Sequence, residues 1–291
     1  MRKIFKRIKN DFIYFAIKFF LSVVRFLPLM MTETILDVFA KIAARLPTRE
    51  NKIALKNLSM FYSKDESKKI RIKMYLNWSR SIAELISVII KGVDIREFVS
   101  ITEDAKRVLD EALNEGKGVV FFTAHIGNWE LMAMCLSAHG YNVNTIAKES
   151  YDSRLTRLIR EIREKNGVRC IFRGEEGIIN KIRQIISSNS IMGFLIDQNT
   201  KVPSIKVQFL GAEAPTPLLP AKILKETNAA LVVGFNHRID GRIRVEIKRV
   251  IYSNNESERE ILERVNRILS EEITKFPHEW IWIHNRWDMT C

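Results

Sequence analysis

From residue 118 onward the chain alternates between two periodicities, and nothing else in it limits the fold as strongly. Short β-branched or aromatic runs recur: "GVVFFTA", "YNVNTIAK", "VRCIF", "SIMGFLID", "ALVVGFNHR" and "RIRVEIKRVI". Between most of them lie stretches with apolar residues at helical spacing: "NWELMAMCLSAHG", "RLTRLIREIREKNG", "EEGIINKIRQIISSN" and "PLLPAKILKETN". Apolar strands alternating with helices pair in a parallel or mixed sheet covered on both faces. The expected fold is therefore α/β over residues 116–291, a mixed, mostly parallel sheet flanked by helices. Residues 1–115 read as helical throughout, with Gly92 and the Gly116–Gly118 region as stops. Thr102, ahead of Glu103 and Asp104, is a helix start. Residues 33–115 thus form a helical lead-in to one domain, 33–291, and residues 1–32 a separate N-terminal region.

That region opens with "MRKIFKRIKN", carrying Arg2, Lys3, Lys6, Arg7 and Lys9 and no acidic residue. The apolar stretch that follows is interrupted by Asp11, Lys18 and Arg25, which makes a spanning helix marginal and a secretory signal a poor match. Lys18 and Arg25 fall on nearly one helical face, with Phe and Ile elsewhere. Such a pattern suits a helix lying in the membrane interface, its cations toward headgroups. A core helix of a soluble bundle is the alternative. The 47 Lys+Arg against 34 Asp+Glu leave a net +13, which favours anionic partners. No nucleic-acid recognition motif or aromatic–basic stacking platform accompanies this charge, so a bilayer or an acidic carrier protein is expected and nucleic acid is not. Cys135, Cys170 and Cys291 form no CxxC pair, which argues against a disulfide framework or a thiolate zinc site.

The chemistry concentrates in "VVFFTAHIGNWELMAM", residues 119–134. A strand ending here delivers His125 to its carboxyl end, where ligands bind in open α/β sheets. Asn128 is a candidate cap for a helix whose first turn holds Glu130. Five helical steps turn through about 500°, so His125 and Glu130 would not share a face of one continuous helix. They can meet if His125 sits in the loop before the helix and Gly127 permits the bend. The carboxylate could then hold one imidazole nitrogen protonated and leave the other as a general base for a hydroxyl. No serine or cysteine nucleophile is obvious nearby, which points to direct transfer. The same residues also suit a plain helix start, with Glu130 complementing the dipole, and spacing alone does not separate the two.

"HIGNWE" resembles the HxxxxE/D box of glycerolipid-type acyltransferases, and more closely the HxGNWE form of the lipid A biosynthesis lauroyl/myristoyl acyltransferase family. Three further stretches are similar to that family. "IREKNGVRCIFR" matches at Arg163 and Arg173; "FLIDQNTKVPSIKVQFLGAEAPTPLLPAKIL" at Asp197, Gln198, Phe209, Gly211 and Thr216; "PHEWIWIHNRW" at Trp280, Trp282, His284 and Arg286. The matches run in consistent order from about residue 10 to 287, with Ile196 and Asn285 as departures from the usual residues. The resemblance implies an inner-membrane enzyme, its site accessible from the cytoplasm, that adds a secondary acyl chain to a phosphorylated lipid A precursor. Acyl–acyl carrier protein, or acyl-CoA, would be the donor, with no metal or organic cofactor. His125 would be the base and Glu130 its partner; Arg163, Arg173, Asp197 and His284 would contact substrate. At the end of an apolar strand Asp197 could also orient the site, and each of the four has a plainer reading, as a basic helix face (Arg163), a surface ion pair (Arg173), a loop cap (Asp197) and a packing device (His284). His139, His237 and His278 have no partner at useful spacing and read as surface or structural residues. Alternatives are an acyl-CoA-dependent enzyme for another glycolipid or a lysophospholipid, or a non-catalytic membrane-surface binding protein. The lysophospholipid type usually shows NHxxxxD, where this chain has Ala124 and Glu130.

Overall fold

The computed structural model describes residues 2–287, with side chains from residue 9 onward. Cys291 and the side chains of Arg2, Lys3, Lys6 and Arg7 lie outside the described residues. Four helices come first: α1 (Arg2–Val24), α2 (Leu29–Ala43), α3 (Arg49–Leu58) and α4 (Lys64–Lys91). Local chemistry sets their ends. Thr48 caps α3 through the Asn51 amide, and Ser63 and Glu66 form a reciprocal capping box at the start of α4. Gly92, at φ 71°, closes α4 in the left-handed conformation. Lys91 reaches across to the α1–α2 junction, its Nζ donating to the Leu27 carbonyl at 2.6 Å and to Thr32 Oγ1 at 3.3 Å. No helix among the described residues is long and apolar enough to cross a membrane.

The sheet begins earlier than the sequence suggested. Residues 99–101, expected as helix, form strand β1 (Val99–Ile101), whose alternating buried Val99 and Ile101 complete one sheet edge. Thr102 then caps α5 (Glu103–Asn114) as expected. The alternation that follows is β2 (Val119–Thr123), α6 (Trp129–Ala138), β3 (Val143–Ala147), α7 (Ser153–Lys165), β4 (Arg169–Phe172), α8 (Ile178–Ser187) and β5 (Ile191–Leu195). Then come β6 (Ser204–Phe209), β7 (Ala212–Pro217), α9 (Leu219–Thr227), β8 (Ala230–Ile239), β9 (Arg242–Val250) and α10 (Glu258–Lys275). The main sheet has the order β1-β9-β8-β2-β5-β3-β4. Every pairing in it is parallel except the β8–β9 hairpin, so the mixed α/β sheet is as expected. The β6–β7 hairpin stands apart as a two-stranded sheet. Neither of its strands is among the β-branched or aromatic runs that the sequence displays. Its tight turn uses Leu210 and Gly211, both at positive φ, a geometry that an Asn-Gly pair would have announced and Leu-Gly does not.

β2 is buried along its whole length, its alternate residues feeding two apolar layers. Val120 and Phe122 join Ile182, Leu224, Leu262 and Trp282 on one side; Val119 and Phe121 join Leu109, Leu131 and Leu136 on the other. Gly234 of β8 lies so close to the Phe121 ring that any Cβ there would overlap it. Gly234→Ala is therefore expected to lower the urea midpoint of unfolding, with a cost of about 1–3 kcal/mol. An unchanged midpoint would mean that the ring can move aside.

Candidate active site

The parallel strands place their carboxyl ends together, and two neighbouring ends carry the central pair. His125 follows β2 and Asp197 follows β5. The His125 backbone N–H donates to Asp197 Oδ2 at 2.9 Å, and its ring Nδ1 lies 2.8 Å from Asp197 Oδ1. The Trp280 indole N–H donates to Asp197 Oδ2 at 2.7 Å. Asp197 is only 1% exposed. Burial pushes its carboxyl up, but the adjacent His125, by charge and by hydrogen bonds, and the Trp280 indole outweigh that and hold it well below the usual carboxylate range. An ionised Asp197 takes the Nδ1–H tautomer and leaves Nε2 as the ring's proton acceptor. Around the imidazole stand Trp129 (4.8 Å between ring centroids), His284 (6.2 Å) and the Gln198 amide nitrogen, 3.1 and 3.2 Å from the two ring nitrogens.

The loop that presents His125 is braced from two sides. Gly127, at φ 60°, makes the sharp bend and donates its N–H to the Glu279 carbonyl at 2.9 Å. Asn236 of β8 accepts from the Asn128 amide at 2.8 Å and donates to the Ile126 carbonyl at 3.2 Å. Asn128 caps α6 by accepting from the Leu131 amide, as its position suggested. Glu279, on a 3-10 turn Pro277–Glu279, also accepts from the Arg238 amide at 3.0 Å and sits 2.9 Å from His237 Nδ1. His237 is thus no surface residue: it is buried, with Glu272 3.5 Å from its other nitrogen.

Three expectations need correction. Glu130 is not the carboxylate that holds the imidazole. From the first turn of α6 it meets α7, where Arg163 donates through Nε at 3.0 Å and a terminal nitrogen at 2.5 Å. Arg163, expected to contact substrate, is committed to that pair and to Cys170 Sγ at 3.1 Å. Burial disfavours its charge, yet Glu130 overrides this and raises the guanidinium above its ordinary range. Asp197, also expected to contact substrate, is sealed behind His125 as the ring's partner. Arg173, just past β4, is half-buried, lowered by that burial, and has no ion-pair partner among the described residues. His284 is half-buried beside His125; burial and the neighbouring ring lower it, with Asp197 opposing.

Beneath the Glu130–Arg163 pair runs an apolar slot between α6 and α7. Phe121, Leu195, Trp129, Ala133 and Ile146 line it, with Gly193 leaving space in the sheet behind. Its Trp129 end touches His125. Trp280 and Gln198, as groups in contact with the pair, escaped sequence reasoning; their only signal was their place in the family-like blocks.

Gly127 tests the loop. A Cβ there would overlap Asn236 Oδ1 and lie 2.6 Å from the Asn236 carbonyl. Gly127→Ala should cost more than the roughly 1–2 kcal/mol of left-handed strain alone, and the Asn128 amide should lose hydrogen-exchange protection. Parental stability and protection would show the loop to be free rather than braced.

The model of the bacterial lipid A biosynthesis acyltransferase family matches residues 2–289. Among curated proteins, the chain is similar to the phosphatidylinositol mannoside acyltransferase of Mycobacterium tuberculosis (strain ATCC 25618 / H37Rv), at 28% identity over 126 residues. That stretch covers 43% of this chain and 40% of the relative. The enzyme of the same name from Mycolicibacterium smegmatis (strain ATCC 700084 / mc(2)155) is 28% identical over 122 residues, 41% of this chain and 40% of the relative. The chain thus matches well under half the length of these relatives, whereas the family model spans nearly all of it. With a histidine–carboxylate pair at the carboxyl edge of its α/β sheet, the chain belongs to the bacterial lipid A biosynthesis acyltransferase family.

Proposed function

We propose that the protein is an O-acyltransferase of the membrane surface. It moves a fatty acyl chain from acyl–acyl carrier protein to a hydroxyl of a phosphorylated lipid A precursor, at the inner membrane and from its cytoplasmic side. The observation that carries this reading is the His125–Asp197 pair beside an apolar slot, with no hydroxyl or thiol side chain among the described contacts of the ring. A base without a protein nucleophile suits direct transfer. The acceptor oxygen attacks the thioester carbonyl as its proton passes to His125 Nε2. The C–S bond then breaks, the ester forms, and the departing thiolate takes the proton from the imidazolium. Asp197 remains ionised and stabilises that imidazolium.

The remaining features fit the same reaction. Glu130 and Arg163 serve as positioning residues that fix Trp129 beside the ring. The slot suits the acyl chain, and Arg173, a half-buried guanidinium without an ion partner among the described residues, suits an acceptor phosphate. His284, next to His125, suits contact with acceptor or donor. Along α1, Phe12, Phe15 and Phe19 are exposed, Phe26 follows in the turn beyond it, and Met30 and Ile42 continue the apolar surface on α2. Exposed Lys9, Lys18 and Arg25 accompany them, the composition of a helix lying in an anionic interface. A second reading keeps the chemistry and changes the acceptor to a mannosylated phosphatidylinositol with acyl-CoA as donor, and the names of the mannoside acyltransferase relatives favour it.

The test is acyl transfer on liposomes, offering a lipid A precursor or a phosphatidylinositol mannoside with either carrier-protein or CoA thioesters. The expected outcome is transfer from the carrier-protein thioester to the lipid A precursor. His125→Ala should lower turnover at least ~10²-fold and Asp197→Asn by about 10²–10⁴-fold. Undiminished turnover in both variants would defeat the base assignment; transfer to the mannoside alone would defeat the acceptor. Gly193→Leu, which fills the slot, should shift preference toward shorter chains when short and long donors compete, and an unaltered preference would place the acyl chain elsewhere.

A further inference from the structure

Acyl transfer through His125 needs a donor for the negative charge that forms on the thioester oxygen, and the loop that carries the histidine has committed its own amides elsewhere. The His125 N–H donates to Asp197, the Ile126 N–H to the Ala124 carbonyl at 2.8 Å, the Gly127 N–H to the Glu279 carbonyl and the Asn128 N–H to Asn236. The Trp280 indole N–H is held by Asp197 as well. A side-chain donor stands beside the ring. The Gln198 amide nitrogen lies 3.1 Å from Nδ1 and 3.2 Å from Nε2 of His125. In the plane of the ring, two such nearly equal distances would drive it into Cε1. It therefore stands off the plane and leaves the in-plane lone pair of Nε2 open to a substrate proton. Its starting point is fixed, because Gln198 directly follows Asp197, which the His125 amide and ring and the Trp280 indole anchor past the end of β5.

We propose that Gln198 is a catalytic residue, its side-chain amide donating a hydrogen bond to the oxyanion formed during acyl transfer. The inference rests on the reading of His125 as the base in that reaction. To hand its proton to Nε2, the acceptor oxygen must come within about 3 Å of that nitrogen. The thioester carbonyl it attacks then lies beside the Gln198 amide, which is 3.2 Å from the same Nε2. As the acceptor oxygen adds, the carbonyl π pair moves onto the thioester oxygen, where an amide N–H meets it. The pair returns to the carbonyl as the C–S bond breaks, and the proton reaches the departing thiolate by way of His125. Two features of the side chain suit this role. Its nitrogen carries two N–H groups, so one can hold a position over the ring while the other turns to the substrate. It is also neutral, so it stabilises a developing charge without adding one beside the imidazole and leaves the ring's proton affinity to Asp197.

The test uses Gln198→Met, which keeps the length of the side chain and removes both N–H groups, or Gln198→Ala if that variant fails to fold. Loss of one oxyanion donor should lower kcat about 10²–10³-fold, with KM and the acid limb of the kcat/KM profile unchanged. A loss confined to KM, or an acid limb that moves, would make Gln198 a support for substrate or ring and overturn the proposal. Binding gives a readout that needs no turnover. Two pantetheine-linked probes of one chain length are compared: a phosphonate, tetrahedral and anionic where the thioester carbonyl stood, and a thioether without any carbonyl. The variant should lose about 10²-fold in affinity for the phosphonate and bind the thioether as the parent does. If parent and variant bind both probes equally, the oxyanion rests on other donors and the role of Gln198 alone falls. If the parent binds neither probe, the acyl-transfer reading fails and the inference fails with it.

Discussion

One buried carboxylate ties together three parts of the chain that are distant in sequence. Asp197 receives the His125 amide and ring from the end of β2 and the Trp280 indole from the C-terminal segment, while itself ending β5. A carboxylate removed from water stays charged only if donors replace the water, and here three do. The same bonds that satisfy Asp197 therefore fix the imidazole's orientation, seat the segment around Trp280 and register the carboxyl edges of β2 and β5. Glu279, one residue earlier, repeats the arrangement on the β8 side by accepting from the Gly127 and Arg238 amides.

Two carboxylates stand near the histidine, and their surroundings divide the work. Asp197 is sealed in the sheet edge and acts on the ring. Glu130 is half-buried and forms a bidentate pair with Arg163, the strongest geometry available to an arginine and a carboxylate. The glutamate of the sequence box thereby joins α6 to α7 above the slot.

Legibility followed the range of the interaction. Features settled by neighbours in sequence were readable: the strand ending at His125, the bend at Gly127, the Asn128 and Thr102 caps and the Gly92 stop. The alternation after residue 118 likewise carried the α/β sheet. Features settled across the fold were not. Asp197 lies 72 residues from His125, and no periodicity pairs them; its place at the end of an apolar strand allowed a carboxylate that orients the site, but nothing along the chain named His125 as the group it orients. Glu130 has a nearer histidine in sequence than arginine, so proximity along the chain suggested the wrong partner. β1 is a three-residue strand, too short to display an alternation, and it earns its conformation from β9. His237 looked isolated because Glu279 and Glu272 come from the far end of the chain.

Helix α7 has one consequence of a mechanical kind. At its amino end Arg154 bonds Asp11 at 2.7 Å and covers the Tyr14 ring at 4.4 Å, so α1 is fastened there. Near its carboxyl end Arg163 grips Glu130. A thirteen-residue helix is a rod of about 20 Å. Any force that tilts α1 is therefore delivered, through a stiff lever, to the brace over the slot, and the setting of the amino-terminal helix becomes part of the geometry around His125.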